Sequence, residues 1–206
     1  LIDLKKTNAN YNIAPSISPN GEQIAFYSNN SGVMSLSLMK SNCNECINNE
    51  IQTILKSEMS SNVEELNILK PGISWSSDSK KIVIAAKSNG QDILFIIDLD
   101  KGYKKEKIIF DKELKAIFQP SWNPVFNDWI AFIGSNSIQS DVYLFNLESE
   151  QLINVTNDIF TDQHVNWSAD GKALLFSSDR GANLFNNNEK KSSNWGSQYD
   201  LYTINL

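Results

Sequence analysis

Few residues of this chain could do chemistry. His164 is the sole histidine among 206 residues. A serine or cysteine nucleophile needs a histidine base within hydrogen-bond reach, and no Gly-x-Ser-x-Gly elbow exists to pair with this one. His164 lies shortly before Trp167, in what reads as a loop, where a structural role or contact with a partner fits better than catalysis. Cys43-Asn44-Glu45-Cys46 is a single Cys-x-x-Cys pair. It supplies half of a four-ligand zinc site, and it sits in a polar connection rather than at a strand-to-helix junction. In an oxidising compartment Cys43 and Cys46 could close a small disulfide loop; free thiols are the alternative. Asp98-Leu99-Asp100-Lys101-Gly102 lacks the remaining oxygens that calcium requires and reads as a hairpin turn. The residues therefore call for no cofactor, metal or catalytic group.

The totals narrow the function classes. With 18 basic against 24 acidic side chains the formal charge is -6, and only Arg180 is an arginine. Phosphate backbones are held by clustered Lys and Arg, so a nucleic-acid partner is not expected. The one basic run, Lys101 to Lys107, reads as a solvated turn. No apolar stretch approaches the roughly 18 residues of a membrane span. The absence of an initiator Met and of a basic-then-apolar leader makes Leu1 look like the start of an excerpt or a processed chain.

What positions these residues is an internal repeat. Pro15-Ser16-Ile17-Ser18-Pro19-Asn20-Gly21 leads into Ile24-Ala25-Phe26. Ser74-Trp75-Ser76-Ser77-Asp78-Ser79 leads into Ile82-Val83-Ile84, Pro120-Ser121-Trp122-Asn123-Pro124 into Ile130-Ala131-Phe132, and Asn166-Trp167-Ser168-Ala169-Asp170-Gly171 into Leu174-Leu175-Phe176. The aligned apolar residues are Ile17, Trp75, Trp122 and Trp167, expected to pack between copies; Trp129 and Trp195 fall outside that register and are better placed for exposed contact. In the first turn Pro presets φ and Gly takes a positive φ. Ser79 lacks that glycine, so its turn should be strained, and residues 125–129 make the third turn longer.

The runs after each turn are continuously apolar, so both faces must be covered. Third strands follow at Ser35–Leu38, Ile93–Ile97, Val142–Phe145 and Leu201–Ile204. Fourth strands follow at Ile51–Leu55, Lys107–Phe110 and Leu152–Val155. Four strands in roughly 45 residues is a propeller blade. The expected architecture is all-β: a β-propeller of four-stranded antiparallel blades at about 10–56, 70–111, 117–157 and 163–206. Leu1-Ile2-Asp3-Leu4 has the character of the fourth strand the last blade lacks. Either it closes a ring, or it belongs to a preceding blade and the chain is part of a larger propeller of six or more blades. The polar stretch Asn183 to Gln198 is an insertion in the last blade.

Pro-x-(Ile/Trp)-Ser-Pro-(Asp/Asn)-Gly, then Ile-Ala-Phe, then Asp-(Ile/Val/Leu)-Tyr resembles the repeats of the TolB-type propeller. Ser177-Ser178-Asp179-Arg180-Gly181 before Asp200-Leu201-Tyr202, and Asn154-Val155-Thr156-Asn157 ahead of Trp167, are similar to that family too. The resemblance spans nearly the whole chain. It implies a six-bladed, periplasmic or otherwise extracytoplasmic propeller acting as a non-enzymatic protein scaffold, with an envelope lipoprotein as the type of partner. Similar repeats occur in the accessory propellers that gate prolyl-oligopeptidase-like and tricorn-like peptidases, which is the alternative function. Such repeats carry fold better than function. The expected partner surface is one rim, built from loops leading into first strands (Tyr11, Phe118, His164) and out of second strands (Asp179, Arg180).

Overall fold

The computed structural model describes residues 9–30, 32–42, 51–57, 63–110, 114–182 and 199–206. Leu1–Leu4, Cys43, Cys46, Trp195 and the insertion at 183–198 lie outside them. Every described strand pairs antiparallel with its neighbours in four separate sheets. Blade 1 holds β1 (Asn12–Ile17), β2 (Gln23–Ser28), β3 (Ser35–Lys40) and β4 (Gln52–Lys56). Blade 2 holds β5 (Glu65–Leu66), β6 (Ile73–Trp75), β7 (Lys81–Ser88), β8 (Gln91–Asp98) and β9 (Lys104–Ile109). Blade 3 holds β10 (Ala116–Trp122), β11 (Trp129–Ser135), β12 (Ser140–Asn146) and β13 (Leu152–Asn154). Blade 4 holds β14 (Asp162–Trp167), β15 (Ala173–Ser178) and β16 (Asp200–Asn205). In blades 1 and 3 the four strands lie in sequence order, and β14-β15-β16 lie in the same order in blade 4.

The continuous apolar runs divide their residues between two interfaces, because successive side chains of a strand point to opposite faces. Ile82 and Ile84 of β7 pack with Ala25, Tyr27, Leu36 and Leu38 of blade 1. Val83 and Ala85, between and beyond them, pack with Trp122, Ile130 and Phe132 of blade 3. Ala131 and Ile133 of β11 then pack with Leu174 and Phe176 of blade 4. Each inner blade is thus roofed on both faces by its neighbours.

The aligned tryptophans sit in these interfaces, one in each. Trp75 donates its indole N–H to the Ser16 carbonyl of the preceding blade at 3.2 Å, and Trp167 to that of Ser121 at 3.0 Å. Trp122 instead donates to the Asn127 carbonyl of its own enlarged turn, at 2.9 Å.

The hairpin turns share one mechanism. The hydroxyls of Ser18, Ser76 and Ser168 donate to Oδ1 of Asn20, Asp78 and Asp170 at 2.7, 2.6 and 2.6 Å. Each serine oxygen also accepts the backbone N–H five residues on. The Ser168 hydroxyl and then the Lys172 backbone N–H hold the Asp170 carboxyl below its ordinary range. Ser79 takes the positive φ, 61°, that glycine would take, and its Oγ accepts the Asn20 N–H of blade 1 at 3.1 Å. In the third turn buried Asn123 replaces the serine. Its Oδ1 accepts the N–H groups of Val125 and Phe126, and its Nδ2 donates to the Gly171 carbonyl of blade 4. The departures from the repeat therefore tie neighbouring blades together along the rim made by the turns between first and second strands, the lower rim; the loops leading into first strands and out of second strands make the upper rim.

Several expectations change. Ile17, expected to pack between copies, is 60% exposed, and Trp129, expected to be exposed, is half-buried against the core between blades 3 and 4. The charged run is not all turn: Lys104 to Lys107 belong to outer strand β9, with Lys104, Lys105 and Glu106 exposed. The inner strand of blade 2 begins already at Glu65 and is split by residues 67–72. His164 is within strand β14 rather than in a loop before it.

Candidate functional site

The inner strands line the propeller axis, and each of three carries a bulge at one height. Pairing slips between Ile13 and Ser16, between Phe118 and Ser121, and between Gln163 and Asn166. The extra residues Ala14, Gln119 and His164 adopt φ of 52°, 51° and 58°. A left-handed backbone at non-glycine residues is uncommon, and such strain concentrates at functional sites. In blade 2 the excursion at 67–72 takes the place of the bulge. It ends at Gly72, where a Cβ would stand 2.7 Å from the Gln119 Cα, so only glycine lets the two inner strands approach this closely.

The result is an axial cavity of about 330 Å³ whose lining includes Ser16, Gly72, Ser74, Gln119, Ser121 and His164. Its two sides differ: Ala14 and Gly72 are small, whereas Gln119 and His164 bring polar side chains. Side-chain oxygens also cross-link the inner strands. The His164 backbone N–H donates to Gln119 Oε1 at 2.9 Å, and that of Trp122 to Ser74 Oγ at 2.8 Å.

His164 Nδ1 lies 3.1 Å from Ser177 Oγ, which superficially suggests an activated serine. The Ser177 hydroxyl, however, donates to the Gln163 carbonyl at 3.1 Å. Both contacts are satisfied when Nδ1 carries the proton and donates to Ser177, leaving the Nε2 lone pair free. That is the reverse of the proton transfer a nucleophile requires.

The other expected rim residues separate into two groups. Tyr11 is exposed at the start of blade 1, its backbone N–H held by Asn29 Oδ1. Phe118 is half-buried, with the Lys70 ammonium 4.6 Å from its ring centroid. Asp179 Oδ1 accepts the Thr161 N–H at 2.8 Å, pinning the connection between blades 3 and 4.

Arg180 faces inward. Its guanidinium contacts both carboxylate oxygens of fully buried Asp162 at 2.8 and 3.0 Å, Asp158 at 3.1 Å and Ser178 Oγ at 2.8 Å. The rings of Phe160, Phe176 and Tyr202 surround it at 5.1–5.7 Å. Burial pushes the Asp162 carboxyl up, against the opposing pull of Ser178, Thr156 and Arg180.

Exposed apolar side chains that a reading of the repeat passes over stand on the same upper rim. Ile138, between β11 and β12, is 89% exposed, and Ile159, between β13 and β14, is 83% exposed. Their loops touch through a bond from Gln139 Nε2 to the Asp158 carbonyl. Tyr199 joins them at the start of β16, its hydroxyl meeting Gln163 Nε2 at 3.1 Å. Burial, and next the Asp179 charge, raise the Tyr199 phenol above its ordinary value. Gln119 was legible in principle, since it stands three residues before Trp122 as His164 stands three before Trp167. Ile138 and Ile159 are lone apolar residues in polar loops, and nothing in the repeat flags them.

No family model and no curated protein matches this chain. Its fold does match solved structures. TolB from Acinetobacter baumannii aligns with a TM-score of 0.67 at 15% identity, over 95% of this chain and 41% of that one. A TolB structure from Agrobacterium tumefaciens aligns at 0.69 and 16%, over 96% of this chain and 63% of that one. The tricorn protease aligns at 0.58 and 14%, over 96% of this chain and 18% of that one. The chain has the fold of a TolB-type β-propeller and spans less than two thirds of the TolB structures it matches.

Proposed function

We propose that this propeller is a non-enzymatic scaffold of an extracytoplasmic compartment that holds a protein partner on its upper rim, over the axial cavity. The observation that carries the reading is that the strained polar residues of the cavity, Gln119 and His164, and the exposed apolar residues Ile138, Ile159, Tyr199 and Tyr11 belong to the same end of the blades. Large exposed apolar side chains gathered at one end of a molecule mark a surface for a partner. Likeness to TolB structures supports a scaffold, and the partner class would be an envelope lipoprotein. A second reading, an accessory propeller gating a peptidase, draws support from the tricorn likeness and the axial cavity. On that reading the cavity passes substrate rather than seating a partner.

The test is an alanine series at Tyr11, Ile138, Ile159 and Tyr199, with partner capture from envelope extract quantified beside thermal unfolding. Buried anchors of an interface typically cost 2 kcal/mol or more on truncation, so capture should fall roughly thirtyfold at one or more of these positions. Unfolding should move little, since exposed substitutions are usually within about 0.5 kcal/mol. Arg180 is excluded from the series because its loss should destabilise the blade that presents the rim. Undiminished capture by all four variants would remove the scaffold reading.

A further inference from the structure

The axial cavity holds no negative charge in a chain with 24 acidic side chains. Neither aspartate nor glutamate lines it, whereas Ser74, Gln119 and Ser121 do. These three belong to blades 2 and 3, which are roofed on both faces. Gln119 Oε1 accepts the His164 backbone N–H, which fixes which way the amide is turned. Its Nε2 then keeps two N–H groups with no partner among the described residues. Ser74 Oγ accepts the Trp122 N–H and retains its own hydrogen. The Ser121 hydroxyl likewise meets no partner among the described residues. The imidazole of His164 is engaged by Ser177 of its own blade and is not counted among these donors.

Hydroxyls can donate or accept, so the sign of the site is set by the cation beside it, Lys70. The excursion at 67–72 leaves the sheet next to the cavity, and its last residues, Pro71 and Gly72, line the wall. It is braced in place. Asn67 Oδ1 accepts the Lys70 N–H, and Asn67 Nδ2 donates to the Ile117 carbonyl of blade 3, both at 3.3 Å. The Lys70 ammonium stands 4.6 Å from the ring centroid of Phe118, the residue before Gln119. Among the described residues Lys70 is in no ion pair. Leu69 beside it is 91% exposed, the most of any large apolar residue described.

Given the upper rim as the partner's seat, on which this step rests, we infer that the partner lowers an acidic side chain into the axial cavity. Its carboxylate is held by the Lys70 ammonium, the Gln119 amide and the hydroxyls of Ser74 and Ser121, and an apolar neighbour of that acid lies against Leu69. Hydrogen bonds to an ionised carboxylate are roughly twice as strong as neutral ones. A wall without acids avoids like-charge repulsion, and a braced excursion loses little freedom when the cation is engaged. The partner segment is thus acidic and apolar together, complementary to a lysine and a bare leucine side by side.

The sole histidine makes the test simple, because isotope-labelled histidine gives one backbone amide signal and that N–H donates to Gln119 Oε1. The probes are acetyl-Leu-Glu-Leu-amide, acetyl-Leu-Gln-Leu-amide and succinate, each titrated at low ionic strength, where charges are least screened. The expected result is a saturable shift with the glutamate peptide and none with the glutamine peptide. Succinate should bind roughly tenfold more weakly than the glutamate peptide, since it lacks the apolar flanks. Lys70→Met should weaken the glutamate peptide about tenfold or more, the loss of one charge-assisted hydrogen bond, and move the thermal midpoint little. No shift with the glutamate peptide, equal shifts with both peptides, succinate binding as tightly as the peptide, or undiminished binding by Lys70→Met would each overturn the inference. Partner capture that still falls in the alanine series would then leave the scaffold reading standing.

Discussion

Replacing Arg180 with methionine should cost about 3–5 kcal/mol of folding stability, the loss expected when one member of a buried ion pair is removed and the other is stranded. Asp162 is fully buried, and the guanidinium meets both of its oxygens while sitting among three aromatic rings. Methionine keeps much of the apolar stem and removes the charge. The double variant with Asp162→Asn should recover part of the deficit, because the stranded charge goes too; residues in one network couple by about 0.5–3 kcal/mol. Urea unfolding of the two single variants and the double variant measures this. The pH dependence has a fixed sign. Burial already raises the Asp162 carboxyl, and without Arg180 the rise is larger. A raised acid costs nothing below its unfolded value of about 3.9, where it is protonated in both states; its penalty grows as pH climbs from there to the folded value and is constant above it. The Arg180→Met deficit should therefore be larger at pH 7 than at pH 4. A uniform deficit, or one below about 1 kcal/mol, would mean that the pair is not what holds the connection between blades 3 and 4.

The second large effect is Phe132→Ala. Phe132 lies in the interface between blades 2 and 3, its ring 5.4 Å from that of Phe110 and 5.7 Å from that of Tyr143. Truncating a buried phenylalanine costs about 3–5 kcal/mol, through lost transfer free energy and the cavity left behind. Leu201→Ala removes a comparable apolar group from an end face, where exposure limits the cost to roughly 0.5 kcal/mol. Chemical unfolding of the pair measures the contrast. Equal losses at the two positions would contradict blades roofed by blades.

The sequence made that roofing legible because the signal is redundant. Ile82-Val83-Ile84, Ile130-Ala131-Phe132 and Leu174-Leu175-Phe176 recur in register with Trp75, Trp122 and Trp167, so an error at one copy is corrected by the others. The site was less legible, since a rim is made where the repeat breaks. His164 stood out as the sole histidine, but its place in the strand followed from a bulge, which depends on pairing and not on residue type. Arg180 stood out as the sole arginine and was expected at the rim. Which way it turns was decided by Asp158 and Asp162, charges about twenty positions earlier that no local pattern connects to it. Ser79 and Asn123 read as defects of their turns. In three dimensions each bonds the neighbouring blade, a contact that sequence spacing cannot express.

The central claim is that a partner sits on the upper rim, over Gln119 and His164. The most direct measurement places a photo-crosslinking phenylalanine derivative at residue 164, and in a second protein at exposed Ala169 on the lower rim, and irradiates cells producing each. A partner adduct from position 164 and none from 169 is the result predicted here; an adduct confined to 169, or equal yields from both, would contradict it.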